Sequence, residues 1–147
     1  MIEGVKVKIL KTILDERGRL MEILRNDDPF FKEFGQVYIT TAYPGIIKAW
    51  HWHKLQEDNL TCVKGKIRLA LYDARKNSPT FKEINEFIIS LEKPKLVHIP
   101  SFVYHGFKNI TNEEAIIINT ITKPYNHKNP DEYRVDYSSL GYVWRKK

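Results

Sequence analysis

The sequence has one cysteine, no long apolar run and no cluster of charge of one sign, and each absence removes a class of protein. Cys62 has no second thiol to pair with, and within NLTCVKG, where apolar and polar residues alternate, it reads as a buried, inert packing residue. No segment approaches the roughly 18 to 20 uninterrupted apolar residues of a membrane-spanning helix. The opening residues, MIEGVKVKIL, have neither the apolar stretch nor the small-residue cleavage site of a signal peptide. The expectation is a cytoplasmic protein with no membrane partner. Lysine and arginine (24) outnumber aspartate and glutamate (18), giving a net charge of +6, yet they form no basic helix and no basic stripe interleaved with aromatics. A small anionic ligand suits this charge better than nucleic acid, the remaining charge solvating the surface and a basic WRKK tail. Internal repeats, low-complexity segments and linkers are also lacking, so residues 1–147 are read as one domain, long enough to bury a sizeable core.

What is present is β pattern. Apolar and polar residues alternate in VKVKIL, QVYITT, KIRLALY, EFIISL, KLVHI and AIIINTIT, separated by the turn signals YPG, KNSPT, EKP and TNEE. Short strands at this spacing predict an all-β domain, a barrel or double-sheet jelly roll whose mouth can hold a ligand. NDDPFFKEF is the one segment that reads as a helical turn.

Three of the five histidines fall in two strand-flanked segments, GIIKAWHWHKLQEDNLTCVKG and IPSFVYHGFKN. Residues two apart on a strand face the same way, so His51 and His53 share a face, while Trp52 points to the other. Glu57 and Asp58 follow, and His105 comes from a distant strand that can lie opposite. Neutral imidazoles with a carboxylate suit Zn, Fe(II), Ni or Mn, so His51, His53, Asp58 and His105 form a candidate divalent-metal set. The same residues also make an internal hydrogen-bonded cluster or a metal-free proton-transfer site. Their spacing resembles the two cupin signatures: Gly45, His51, His53, Asp58 and Gly65 in the first, Pro100, His105 and Asn109 in the second. Asp58 stands where glutamate is commonest, and Phe102 where the second signature usually has glycine.

Read whole, from DERGRLMEI through GQVYITT, GIIKAWHWH, LYDARKNSPTF and HIPSFVYHGF to TKPY, the chain resembles the dTDP-4-dehydrorhamnose 3,5-epimerase family, a cupin branch that works without a metal. The resemblance implies a cupin-type jelly-roll β-barrel, an epimerase or isomerase of a nucleotide-linked 4-keto-6-deoxy sugar, no required cofactor, and a homodimer. In that chemistry the C4 ketone acidifies the hydrogens at C3 and C5. A base removes one, the enolate is held, and an acid returns a proton to the other face. His51 matches the family's base and His105 its second pocket histidine. Arg17 and Glu22 match a nucleotide-binding segment that a neighbouring subunit sometimes supplies, and Gln36 and Tyr125 match further nucleotide-pocket residues. Lys48 matches the arginine that precedes the base, keeping its charge without the planar fork.

The departures from that family fall in the pocket. Asn119 occupies the position of the acid tyrosine, and an amide delivers no proton at neutral pH; Tyr38 and Tyr104 are the alternative donors. Asp58 replaces a lysine that stabilises the enolate, reversing the local charge, and His53 replaces a glutamine. The segment that supplies the base's aspartate partner is missing, leaving Asp131 or Asp136 as substitutes. Three readings follow: an epimerase with His51 as base and Lys48 near the enolate oxygen; a metal-dependent cupin enzyme acting on a sugar or small oxygenated substrate; and a nucleotide-sugar binding protein without activity.

Overall fold

The computed structural model describes residues 1–145; Lys146 and Lys147 of the WRKK tail lie outside the described residues. Numbered in chain order, five antiparallel strands form one sheet in the order β1 (Lys6–Ile9), β9 (Lys95–Ile99), β6 (Asp58–Lys64), β11 (Ala115–Ile121), β4 (Gln36–Ala42). A second sheet runs β12 (Tyr133–Arg134), β5 (Ile47–Trp52), β10 (Val103–Asn109), β7 (Lys66–Asp73), β8 (Ile84–Ser90). A separate hairpin pairs β2 (Ile13–Asp15) with β3 (Gly18–Leu20). Two five-stranded sheets packed face to face make the jelly roll that the alternation predicted.

Every alternating segment of the sequence became a strand. β11 shows why: in AIIINTI each second residue is buried, so one face joins the core while the other remains partly open. Leu60, Cys62 and Ile117 from one sheet meet Ile67, Leu69, Leu71 and Phe107 from the other. Cys62 is buried as expected, and burial pushes its thiol up to about 11, which keeps it protonated and unreactive at neutral pH. Trp50 lies under Tyr142 and Trp144 of the C-terminal segment and donates from Nε1 to the Tyr137 carbonyl, so it is packing rather than a ligand platform.

The expected helical turn in NDDPFFKEF is not formed. The segment makes isolated turns in which Phe31 N–H donates to the Asp28 carbonyl. The Asp28 carboxylate takes the Arg25 N–H and Lys8 instead, holding the segment against β1. Side-chain capping of this kind competes with helix continuation, and Pro29 adds no backbone donor.

Candidate active site

β5 and β10 bring the histidines together. Their register pairs His51 with His105 and shifts just beyond it, before Phe107 meets Lys48. Gly106 sits at the shift. A Cβ there would lie 2.2 Å from that of Ala49, so only glycine lets the two strands approach closely enough to face the imidazoles across the pair. The His51 and His105 rings are 6.4 Å apart, and those of His53 and His105 5.5 Å.

These side chains line a cavity of about 580 Å³ between the sheets, walled by Gln36, Tyr38 and Thr40 of β4, Lys48 and His51 of β5, Asp58 of β6, Asn119 of β11, and Tyr125, Glu132 and Arg134. Of the residues picked out in the sequence, His51, Lys48, Tyr38, Gln36, His105, Asn119, Tyr125, His53 and Asp58 therefore meet in one place. Gln36 and Tyr125 are tied together, the Gln36 Oε1 accepting the Tyr125 N–H at 2.8 Å. Arg17 and Glu22 do not join them within this chain. Arg17 is at the hairpin tip, bonded to Asp15, and Glu22 pairs with Arg25 on the surface. Tyr104, the other candidate donor, lies on the outer face, where it stacks on Trp52, which in turn stacks on Tyr133. Because the rings cover one another's faces, the row is packing. Glu57 also turns away, pairing with His98 at 3.0 Å and Lys32 at 2.5 Å on the outer side of β6.

Asp58 is the hub of the cavity floor. Its Oδ2 lies 3.0 Å from His105 Nε2, 3.1 Å from the Asn119 amide nitrogen and 3.6 Å from His53 Nε2, while Oδ1 accepts from Gln56 at 2.7 Å. Burial works to raise its pKa, but His105 and His53 prevail and hold the carboxyl well below the usual carboxylate range. The negative charge that reverses the local electrostatics on paper is thus taken up by internal partners. For His53, burial favours the neutral ring, yet Asp58 and the Asp131 carbonyl, 2.6 Å from Nδ1, raise its pKa.

Two carboxylates sit elsewhere than the sequence suggests. Asp131 is not beside His51: its carboxylate accepts the N–H groups of Lys54, Leu55 and Gln56 and so fixes the loop after β5. Asp136 is likewise occupied locally, by Ser138. Glu132 is the carboxylate facing the base, its Oε1 3.5 Å from His51 Nδ1. Burial, the charge of His105 and that of Arg134 bring the His51 pKa down to about 4, against the opposing pull of Glu132. At neutral pH the imidazole is free to accept a proton.

Tyr38 is placed by β4–β11 pairing, directly opposite Asn119. The Asn119 amide donates to the Tyr38 oxygen at 2.8 Å and also to Asp58. Burial and the Asp58 charge push the Tyr38 pKa up to about 12, so it keeps its proton. Lys48 Nζ rests 3.2 Å from Thr40 Oγ1 at the cavity wall. At the turn into β10, Phe102 adopts φ 64° in the place where the cupin signature favours glycine, and its N–H donates to the His53 carbonyl at 2.7 Å. The turn keeps the glycine conformation without the glycine.

The four-residue metal set is only partly assembled. One ligand atom from each of His53, Asp58 and His105 lies within 4.8 Å of the others, a donor set suited to the same ions, whereas His51 presents Nδ1 to Glu132.

The sequence and the architecture both have counterparts among known proteins. The polysaccharide biosynthesis C-terminal domain family matches residues 13–133. A probable low-salt glycan biosynthesis epimerase of Haloferax volcanii is 38% identical over 138 residues, 92% of this chain and 88% of that protein. The spore coat polysaccharide biosynthesis protein SpsL of Bacillus subtilis is 37% identical over 146 residues, covering 98% and 97%. Among solved structures, a dTDP sugar isomerase from Desulfovibrio desulfuricans superposes with a TM-score of 0.90 at 27% identity, over 97% of this chain and 92% of that one. The chain therefore belongs to the polysaccharide biosynthesis C-terminal domain family, and it shares its cupin-type jelly roll with the dTDP-4-dehydrorhamnose 3,5-epimerases and related sugar epimerases.

Proposed function

We propose that the protein is an epimerase, or a closely related isomerase, of a nucleotide-linked 4-keto-6-deoxy sugar, acting as a single domain by proton abstraction beside the C4 ketone. The observation that carries this reading is the placement of His51 on the cavity wall with Glu132 Oε1 3.5 Å from its Nδ1, and the lowered pKa of the ring agrees with a neutral base. A carboxylate at Nδ1 favours the proton on that nitrogen and leaves Nε2 as the base. Lys48, on the same strand and cavity wall, supplies positive charge for the enolate oxygen.

Tyr38 is the acid that returns a proton. Because Asn119 donates to its oxygen, the hydroxyl hydrogen is free to point at substrate. Asn119, which delivers no proton itself, thus orients the residue that does. His105, held by Asp58, positions the sugar, and Gln36 and Tyr125 bind the nucleotide. No cofactor is needed for this sequence of transfers.

The substrate class is supported by the dTDP sugar isomerase at 27% identity and by the glycan biosynthesis epimerase at 38%. A homodimer is part of the reading. β4 is a sheet edge carrying exposed Val37 and Ile39, and the detached β2–β3 hairpin exposes Ile13, Leu14 and Leu20. Exchange of these hairpins would bring Arg17 and Glu22 of one copy to the other's cavity. The ligand is a small nucleotide sugar rather than nucleic acid, and the compartment proposed is the cytoplasm; no described helix is long and apolar enough to cross a membrane.

The convergence of His53, Asp58 and His105 supports a second reading, a metal-dependent enzyme on the same frame. A divalent ion held there would act as a Lewis acid on the ketone. Solvent hydrogen exchange into a dTDP-4-keto-6-deoxy sugar tests the first reading, and metal analysis the second. Nucleotide binding without exchange would point to the inactive binding protein.

A further inference from the structure

Two charged residues at the edge of the second sheet, Glu132 and Arg134, reach the cavity although nothing in the sequence pattern marks them. Nε and Nη2 of Arg134 both meet Glu132 Oε1, at 3.1 and 2.7 Å. The same oxygen lies 3.5 Å from His51 Nδ1. One carboxylate oxygen is therefore shared by a guanidinium and an imidazole.

The sharing is lopsided. The Arg134 side chain is 68% exposed and that of Glu132 27%. An exposed ion pair exchanges readily for a better one, and two nitrogens on a single oxygen use a guanidinium less fully than the two-oxygen fork it forms with phosphate. Nη1 has no protein partner among the described residues. Lys48 and Arg134 are the lysine and arginine of the cavity lining, and Lys48 is bonded to a neutral hydroxyl. His51 is faced by Glu132 and Arg134 beside it, by His105 from β10 and by His53 of its own segment. Of these, Arg134 is the group most open to solvent and to an arriving anion.

We infer that Arg134 grips the diphosphate of the nucleotide sugar and, in leaving Glu132, hands Oε1 to His51. The inference rests on the nucleotide-sugar reading and goes beyond it, by naming the residue that links binding of the diphosphate to the state of the base. Substrate arrival removes the competitor for the base's carboxylate, so His51 is best partnered when the sugar is in place.

Calorimetric titration of the full chain with dTDP and, by competition, with thymidine tests this. Arg134→Gln should weaken dTDP binding by about ten- to a hundredfold, the range of a lost charge-assisted hydrogen bond, and leave thymidine affinity unchanged. Arg134→Lys should recover part of the loss. Glu132→Gln, which removes the competing charge, should bind dTDP as tightly as the wild type or more tightly. Unchanged dTDP affinity in Arg134→Gln, an equal loss for thymidine, or a matching loss in Glu132→Gln overturns the inference. A wild-type protein that binds no dTDP overturns the nucleotide reading itself, and the inference with it.

Discussion

The amide nitrogen of Asn119 lies 2.8 Å from the hydroxyl oxygen of Tyr38, on the neighbouring strand and in direct register. The two residues share the work of reprotonation, Asn119 fixing the oxygen and Tyr38 carrying the proton. Tyr38→Phe should therefore lower kcat by about 10²- to 10⁴-fold, the usual contribution of a general acid, with KM little changed. Asn119→Ala should lower it less, because the hydroxyl remains. Steady-state kinetics on a dTDP-4-keto-6-deoxy sugar checks both, and full activity in Tyr38→Phe would assign the acid elsewhere.

The base makes a prediction about pH. The active form of His51 is the unprotonated ring, and its pKa is lowered from 6.5 to about 4. A depressed value extends the active form toward acid, so kcat/KM should hold through pH 6 and fall only as pH approaches 4. Glu132→Gln should reduce kcat and carry the acid limb lower still, since Glu132 is the group that raises the His51 pKa. An acid limb centred near 6.5 in the wild type would contradict the environment described for His51.

Asp58 makes a prediction about stability. It is 1% exposed and receives hydrogen bonds from His105, Gln56 and Asn119. Asp58→Ala would leave those groups buried without their acceptor, and breaking a buried pair in this way costs about 3–5 kcal/mol. Urea denaturation measures it. A loss below about 1 kcal/mol, the scale of an exposed ion pair, would mean that the cluster relaxes into water.

The same cluster separates the two functional readings. The metal-free epimerase should purify with far less than one divalent ion per chain and keep its activity in chelator, as measured by elemental analysis and kinetics. A stoichiometric ion, with activity lost on chelation and restored by that ion, would favour the reading built on His53, Asp58 and His105.

Much of this site was legible in the sequence because strand periodicity reports which residues share a face. His51 and His53 sit two apart and both reach the cavity, and Trp52 between them stacks outside; His105 was expected from a strand distant in sequence that can lie opposite, and it comes from β10, the neighbour of β5 in the same sheet and in direct register with His51. The partner of His51 was not legible. Glu132 precedes a two-residue strand that carries no alternation, and its position depends on edge pairing of Arg134 with His51. The nearby Asp131 and Asp136 look equally suitable by spacing, yet one ties a loop and the other a turn. The surroundings of Asp58 were not legible for a related reason: the family resemblance implies a carboxylate in place of a cation, while only the fold shows the two imidazoles and two amides that absorb its charge.

The most direct test is hydrogen exchange in deuterated water, followed by NMR at C3 and C5 of a dTDP-4-keto-6-deoxy sugar, with His51→Ala alongside the wild type. The account predicts deuterium incorporation at one or both carbons by the wild type and none above background with His51→Ala, the pattern separating single from double epimerisation. No incorporation by a wild-type protein that binds the nucleotide, or undiminished incorporation by His51→Ala, would contradict it.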